Sequence, residues 1–235
     1  MLDILHPDFL EIFGLLGYDS FTIEGEHAAC SDETILSLIR VAEAYDMTPM
    51  IRLRTLDRGE IGRLLDLGIQ GIHYTCVESA EEVETLLRFT KYPPFGERSF
   101  SPDARCNRSI GDDYATAMKD SNDAVWLFLT IETVTGVDHV DEILGVPDID
   151  LVGVGASDLA ASMGQPGFYE HPDVQAVLLR LREAMAGFSH ALPPGTRPFG
   201  NRPGVYTPAS AYLIAHLLED HLAESDRLQA RVGPI

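Results

Sequence analysis

From residue 8 to residue 155, short apolar runs alternate with amphipathic stretches, and this alternation restricts the fold more than any other feature of the chain. Five runs read as strands: residues 20–23, 49–52, 71–74, 124–131 and 151–155. The fourth contains Val125-Trp-Leu-Phe-Leu-Thr-Ile131 and has no polar alternation. It predicts a strand buried on both faces, as in parallel sheets covered by helices. Helices are predicted over residues 8–16, from an N-cap at Ser31 to residue 45, and over 57–67, 79–89, 112–119, 137–144 and 174–185. Gly17 and Gly68 follow the first and third of these, where glycine commonly ends a helix. Strand and helix in strict succession predict a parallel α/β protein.

The chain has 235 residues, enough for one domain that buries roughly 70–75 % of its unfolded surface. A TIM (β/α)8 barrel typically takes about 250 residues, so the expectation is one such barrel over residues 1–235, divergent at its ends. Its first strand is expected to precede residue 1. Residues 189–208 are punctuated by Pro and Gly and show no strand before a predicted helix at 209–222. Residues 92–110 are rich in Pro, Ser and Arg, lack periodicity, and read as a long loop on the active-site side.

Acidic residues number 37 against 17 basic ones, for a net charge of −20. That field repels nucleic-acid phosphates and anionic lipid, which excludes nucleic-acid and membrane partners. No run of 18 apolar residues is present, and the N-terminal residues carry acids and a proline where a signal peptide needs basic residues. Cys30, Cys76 and Cys106 form no CxxC pair, so a reducing, cytoplasmic location is expected. Lys91 and Lys119 are the only lysines, which restricts where a Schiff base could form. An acidic surface so poor in lysine suits either high salt or a GC-rich genome.

In parallel α/β folds, polar side chains just beyond apolar strands face the functional site. Here these are Glu24-Gly-Glu-His27, Arg52, His73-Tyr74, Glu132 and Asp158. Glu132 and Asp158 suit a divalent cation that keeps open positions for a chelating keto-acid; alternatively, each caps the following helix. Arg52 is placed to stabilise developing negative charge, or to form a structural ion pair with Asp66 or Glu24. His27 is a general acid or base, or simply surface. His73 and Cys76 are expected to be core residues. Gly153 and Gly155 do not form a dinucleotide fingerprint; they allow close backbone approach, with amides around Ser157 and Asp158 available to a carboxylate.

Six ordered strings carry a resemblance: Ile23-Glu-Gly-Glu-His27, Pro49-Met-Ile-Arg52, Leu64-Leu-Asp-Leu-Gly68, Tyr92-Pro-Pro-Phe-Gly-Glu-Arg98, Ile131-Glu-Thr133, and Gly155-Ala-Ser-Asp-Leu159 with Met163-Gly164. Together they resemble the HpcH/HpaI aldolase family of metal-dependent, class II pyruvate aldolases. The resemblance implies a barrel of the phosphoenolpyruvate/pyruvate type that reversibly cleaves a 4-hydroxy-2-oxo acid to pyruvate and an aldehyde through a metal-stabilised enolate. It further implies that Glu132 and Asp158 hold Mg²⁺, Mn²⁺ or Co²⁺, that Arg52 contacts the keto oxygen, and that amides at Ala156 and Ser157 hold the carboxylate. His27 would move the proton, with Asp66 as its orienting partner, and the protein would be a homo-oligomer, a trimer or hexamer. Glu24, Thr75, Ser99 and Ala156 depart from the family's usual Asp, Pro, Gly and Pro. A lyase acting on a CoA thioester, an oxaloacetate decarboxylase and a non-catalytic keto-acid-binding or assembly paralogue are the alternatives.

Overall fold

A computed structural model describes residues 1–108, 111, 113–168 and 170–186. Five parallel strands form one sheet in chain order: β1 (Ser20–Ile23), β2 (Thr48–Arg52), β3 (Gly71–Tyr74), β4 (Trp126–Ile131) and β5 (Leu151–Val154). The nine α-helices among the described residues are α1 (Pro7–Leu15), α2 (Asp32–Ala44), α3 (Arg58–Leu67), α4 (Ala80–Thr90), α5 (Tyr114–Ala124), α6 (Val134–Asp138), α7 (Val140–Leu144), α8 (Ala156–Ser162) and α9 (Pro172–Ala186). The result is a curled parallel half-barrel. The expected 209–222 helix and the 189–208 segment lie outside the described residues, so a complete eight-strand barrel is not shown.

The helix starts follow from local chemistry. Ser31 accepts a hydrogen bond from the Thr34 N–H at 3.2 Å, Asp57 from Glu60 at 2.8 Å and Ser79 from Glu82 at 3.3 Å, each satisfying a donor that the first turn leaves unpaired. Gly68 closes α3 with φ 112°, a left-handed conformation that a side chain would oppose. The predicted 137–144 helix is two shorter ones separated at His139, and the helix before β4 runs to Ala124, so that strand begins at Trp126 rather than at residue 124.

Side chains alternate across each strand. Phe21, Ile23, Ile51, Ile72, Leu127, Leu129 and Ile131 join one apolar core with Leu38, Ile61, Leu86 and Val140 from the helices. The other face carries Met50, Arg52, His73, Phe128, Thr130 and Glu132. A Cβ on Gly71 would meet Met50 and Trp126, and one on Gly153 would meet Phe128 at 3.0 Å, so these glycines keep that concave face open. On that face Trp126 and Phe128 are half-buried while Thr130 is buried, so β4 is covered on both faces towards its C-terminal end and only partly before it. Leu2 makes a parallel bridge to Ile23: its N–H donates to the Thr22 carbonyl at 2.7 Å. The free edge of β1 is thus bridged by Leu2 near its C-terminal end, where the Glu24 N–H also donates to the Leu2 carbonyl at 2.9 Å.

Within one chain, the described part of the long loop, residues 92–108, packs at the N-terminal side of the sheet. Arg98 pairs with Asp66 at 2.8 Å, and Arg105 donates to the Leu67 carbonyl at 3.1 Å and to both oxygens of Glu43. These partners sit at the C-terminal ends of α2 and α3, which feed β2 and β3 from below. Arginines there complement the negative ends of the helices.

Candidate active site

Because the strands run in parallel and in chain order, their C-terminal ends bring distant sequence positions side by side. Glu24 and Glu26 follow β1, Arg52 ends β2, Thr75 and Cys76 follow β3, Glu132 follows β4, and Asp158 stands in the first turn of α8 after β5. Arg52 is the hub. Its Nη1 lies 3.4 Å from Glu24, its Nε 2.6 Å from Glu26 and its Nη2 3.9 Å from Glu132. The Nε contact is close but not aligned as a hydrogen bond. Glu24 Oε1 accepts from the backbone N–H groups of Glu26 and His27 at 2.8 and 3.0 Å, which fixes the turn after β1. The Thr75 hydroxyl donates to Glu26 at 3.2 Å.

Glu132 is only 3 % exposed. Its Oε1 accepts from the Cys76 N–H at 3.1 Å and from the Cys76 thiol at 3.3 Å. Its carboxylate lies against Gly155, where an added Cβ would come within 2.8 Å of Glu132 Cβ and overlap Oε2; only glycine leaves that room. Burial pushes the Glu132 carboxyl above the usual carboxylate range, against the pull of the Cys76 hydrogen bonds and Arg52, and the nearby charge of Asp158 pushes it further. The Cys76 thiol is pushed up to about 12, first by partial burial of its sulfur and then by Glu132, so it remains a protonated donor although the residue as a whole is exposed.

These features test the site for a divalent cation. Arg52 is shared among three carboxylates, and Glu132 and Asp158 repel one another. Two hard oxygen donors short of positive charge fit Mg²⁺ or Mn²⁺, which bind through one or two carboxylates and retain water. Among the described residues no group of three or more His, Cys, Asp or Glu side chains is placed to hold an ion. A cation of this kind needs only one or two carboxylates and takes its further positions from water or substrate.

The remaining expected residues divide. His27 is exposed beside Glu26, with Nε2 3.7 Å from Oε2. Asp66 does not approach it: Asp66 sits near the end of α3, below the sheet, and is paired with Arg98. Within one chain the carboxylate next to His27 is Glu26, and Arg52 pairs with Glu24 and Glu26 rather than with Asp66. Ala156 and Ser157 open α8 beside Asp158. His73 is a core residue as expected, stacked on Phe128 at 4.0 Å with Nε2 2.7 Å from the Thr130 hydroxyl. Cys76 is not: it stands exposed at the strand end with φ 53°. Thr75 and Cys76 were missed as site residues, although their position just beyond an apolar strand is the signal that singled out Arg52 and Glu132. Neither lysine reaches this edge: Lys91 pairs with Asp148 and Lys119 with Asp123, each at 2.7 Å.

Burial lowers the His73 pKa to about 3 from 6.5. Between those values the unfolded chain binds a proton that the folded protein does not, so stability is highest above pH 6.5 and falls as the pH drops towards 3. The slope from this one group approaches about 1.4 kcal/mol per pH unit. Denaturant titrations at pH 7 and pH 5 should show a smaller pH-dependent loss for His73→Phe than for the native protein; equal losses would contradict the buried, neutral imidazole.

The HpcH/HpaI aldolase/citrate lyase family model matches residues 2–192. The chain belongs to that family. A 5-keto-4-deoxy-D-glucarate aldolase of Shigella boydii serotype 18 is 35 % identical over 175 residues, which cover 74 % of this chain and 66 % of that protein. The chain thus spans about two thirds of the length of the curated relatives it matches. Among solved structures, an HpcH/HpaI aldolase from Desulfitobacterium hafniense DCB-2 superposes with a TM-score of 0.71 at 32 % identity, covering 78 % of this chain and 70 % of the other. The citrate synthase SbnG superposes at 0.80 and 27 % identity, covering 97 % and 92 %.

Proposed function

We propose that the protein is a divalent-metal-dependent aldolase that reversibly cleaves a 4-hydroxy-2-oxo acid to pyruvate and an aldehyde. The observation that carries this reading is the approach of Arg52, Glu132 and Asp158 at the ends of β2, β4 and α8's first turn, in a chain whose relatives are aldolases. Glu132 and Asp158 would hold Mg²⁺, Mn²⁺ or Co²⁺, which supplies Lewis-acid polarisation of the keto acid. Arg52, held between Glu24 and Glu26, presents a permanent cation to the keto oxygen as negative charge develops there. Amides at Ala156 and Ser157 orient the carboxylate. His27 takes the proton of the C4 hydroxyl as the C3–C4 bond breaks; the electron pair passes to the enolate of pyruvate, and the same proton returns to C3. Asp66, bound to Arg98, has no part in this step within one chain.

The assay is pyruvate release from a panel of 4-hydroxy-2-oxo acids, with and without EDTA. Release that EDTA abolishes and Mn²⁺ restores supports the reading, and full activity after chelation contradicts it. A second reading has its own support, since the likeness to a citrate synthase runs over nearly the whole chain. Condensation of a keto acid with the enolate of a CoA thioester would use the same strand-end edge around Arg52, and acetyl-CoA with oxaloacetate belongs in the same panel. A homo-oligomer, trimer or hexamer, is part of the proposal. The exposed apolar residues Ile12, Leu15 and Leu16 around the end of α1 support it. Among the described residues no helix is long and apolar enough to cross a membrane.

A further inference from the structure

We infer that Cys76 is a positioning residue that sets the orientation of the Glu132 carboxylate. Two donors from this one residue, backbone N–H and thiol, converge on the same oxygen, Oε1, at 3.1 and 3.3 Å. They can do so because Cys76 takes up a left-handed conformation, φ 53°, which turns the chain back over the end of β4. A non-glycine residue in that conformation needs compensation from its surroundings, and the double contact with Glu132 supplies it. With Oε1 held from the β3 side and the carboxylate seated against Gly155, Oε2 faces β5, the side from which Asp158 acts on Glu132. Partners of this kind orient metal-ligating carboxylates, and their loss typically weakens metal binding about 10–100-fold.

The inference rests on the reading of Glu132 as a metal ligand, and the experiment separates the two. Mn²⁺ binding is measured without substrate, by calorimetry, for the native protein, Cys76→Ala, Cys76→Ser and Glu132→Ala, alongside each melting temperature. Cys76→Ala should weaken binding about tenfold, Cys76→Ser should restore it to within about twofold because the hydroxyl still donates, and Glu132→Ala should abolish it. Native affinity in Cys76→Ala beside lost affinity in Glu132→Ala overturns the inference. So does a loss of affinity that tracks a fall in melting temperature through both cysteine variants. If Glu132→Ala binds Mn²⁺ like the native protein, the metal reading has failed, and a crystal structure of metal-free Cys76→Ala decides the positioning role: a rotated carboxylate supports it, and an unmoved one overturns it.

Discussion

Glu132→Gln is expected to lower kcat/KM for aldol cleavage by about 10³ while leaving the fold as stable as before, or more so. A bound cation that stabilises the transition state by roughly 4 kcal/mol accounts for that factor, since each 1.4 kcal/mol is tenfold in rate. The stability side follows from burial. Glu132 is nearly inaccessible, its carboxyl is pushed upward chiefly by the loss of hydration, and Asp158 repels it. Removing that charge relieves a cost that the folded protein carries above the ordinary carboxylate pKa, and the amide oxygen can still accept from Cys76. Steady-state kinetics with a thermal melt check both halves. Loss of activity together with loss of fold would mark Glu132 as structural instead.

Arg52 should behave differently. Arg52→Lys retains a cation but loses the planar fork that faces Glu24, Glu26 and Glu132, and it should cost about 10²–10³ in kcat with modest change in melting temperature. Arg52→Ala leaves the Glu24 side chain, 7 % exposed, as a buried carboxylate without its cation, and should destabilise the protein by about 3–5 kcal/mol as well. Denaturant unfolding of both variants separates the catalytic loss from the structural one. If Arg52→Lys turns over at the native rate, the guanidinium contributes only as an ion-pair hub.

Much of this was legible in the chain because strand ends are marked twice, by an apolar run and by the polar residue that interrupts it. Ile51-Arg52 and Ile131-Glu132 show that pattern, and the parallel order of the sheet turns it into proximity. The same rule, applied to Tyr74-Thr75-Cys76, would have placed Cys76 in the site; its apparent suitability as a small apolar residue masked the left-handed turn that exposes it. Asp66 stands apart from His27 within one chain for a different reason. A helical residue near a C-terminus lies below the sheet in a βα unit, away from His27, and the local string around it does not carry that information. The loop from Tyr92 followed the same geometry: it leaves the lower end of α4, so its arginines meet the ends of α2 and α3. Trp126 and Phe128 look like core by composition, yet they face the concave side, and only the closure of the sheet decides how far such residues are covered.

Whether Glu132 and Asp158 hold one cation at which pyruvate is presented to Arg52 is decided by crystals grown with Mn²⁺ and pyruvate and measured at the manganese absorption edge. A single anomalous peak is expected within about 2.0–2.3 Å of an oxygen from each carboxylate, with the keto oxygen of pyruvate facing the Arg52 guanidinium. A peak elsewhere, or pyruvate bound without Glu132 and Asp158 sharing an ion, would contradict that arrangement.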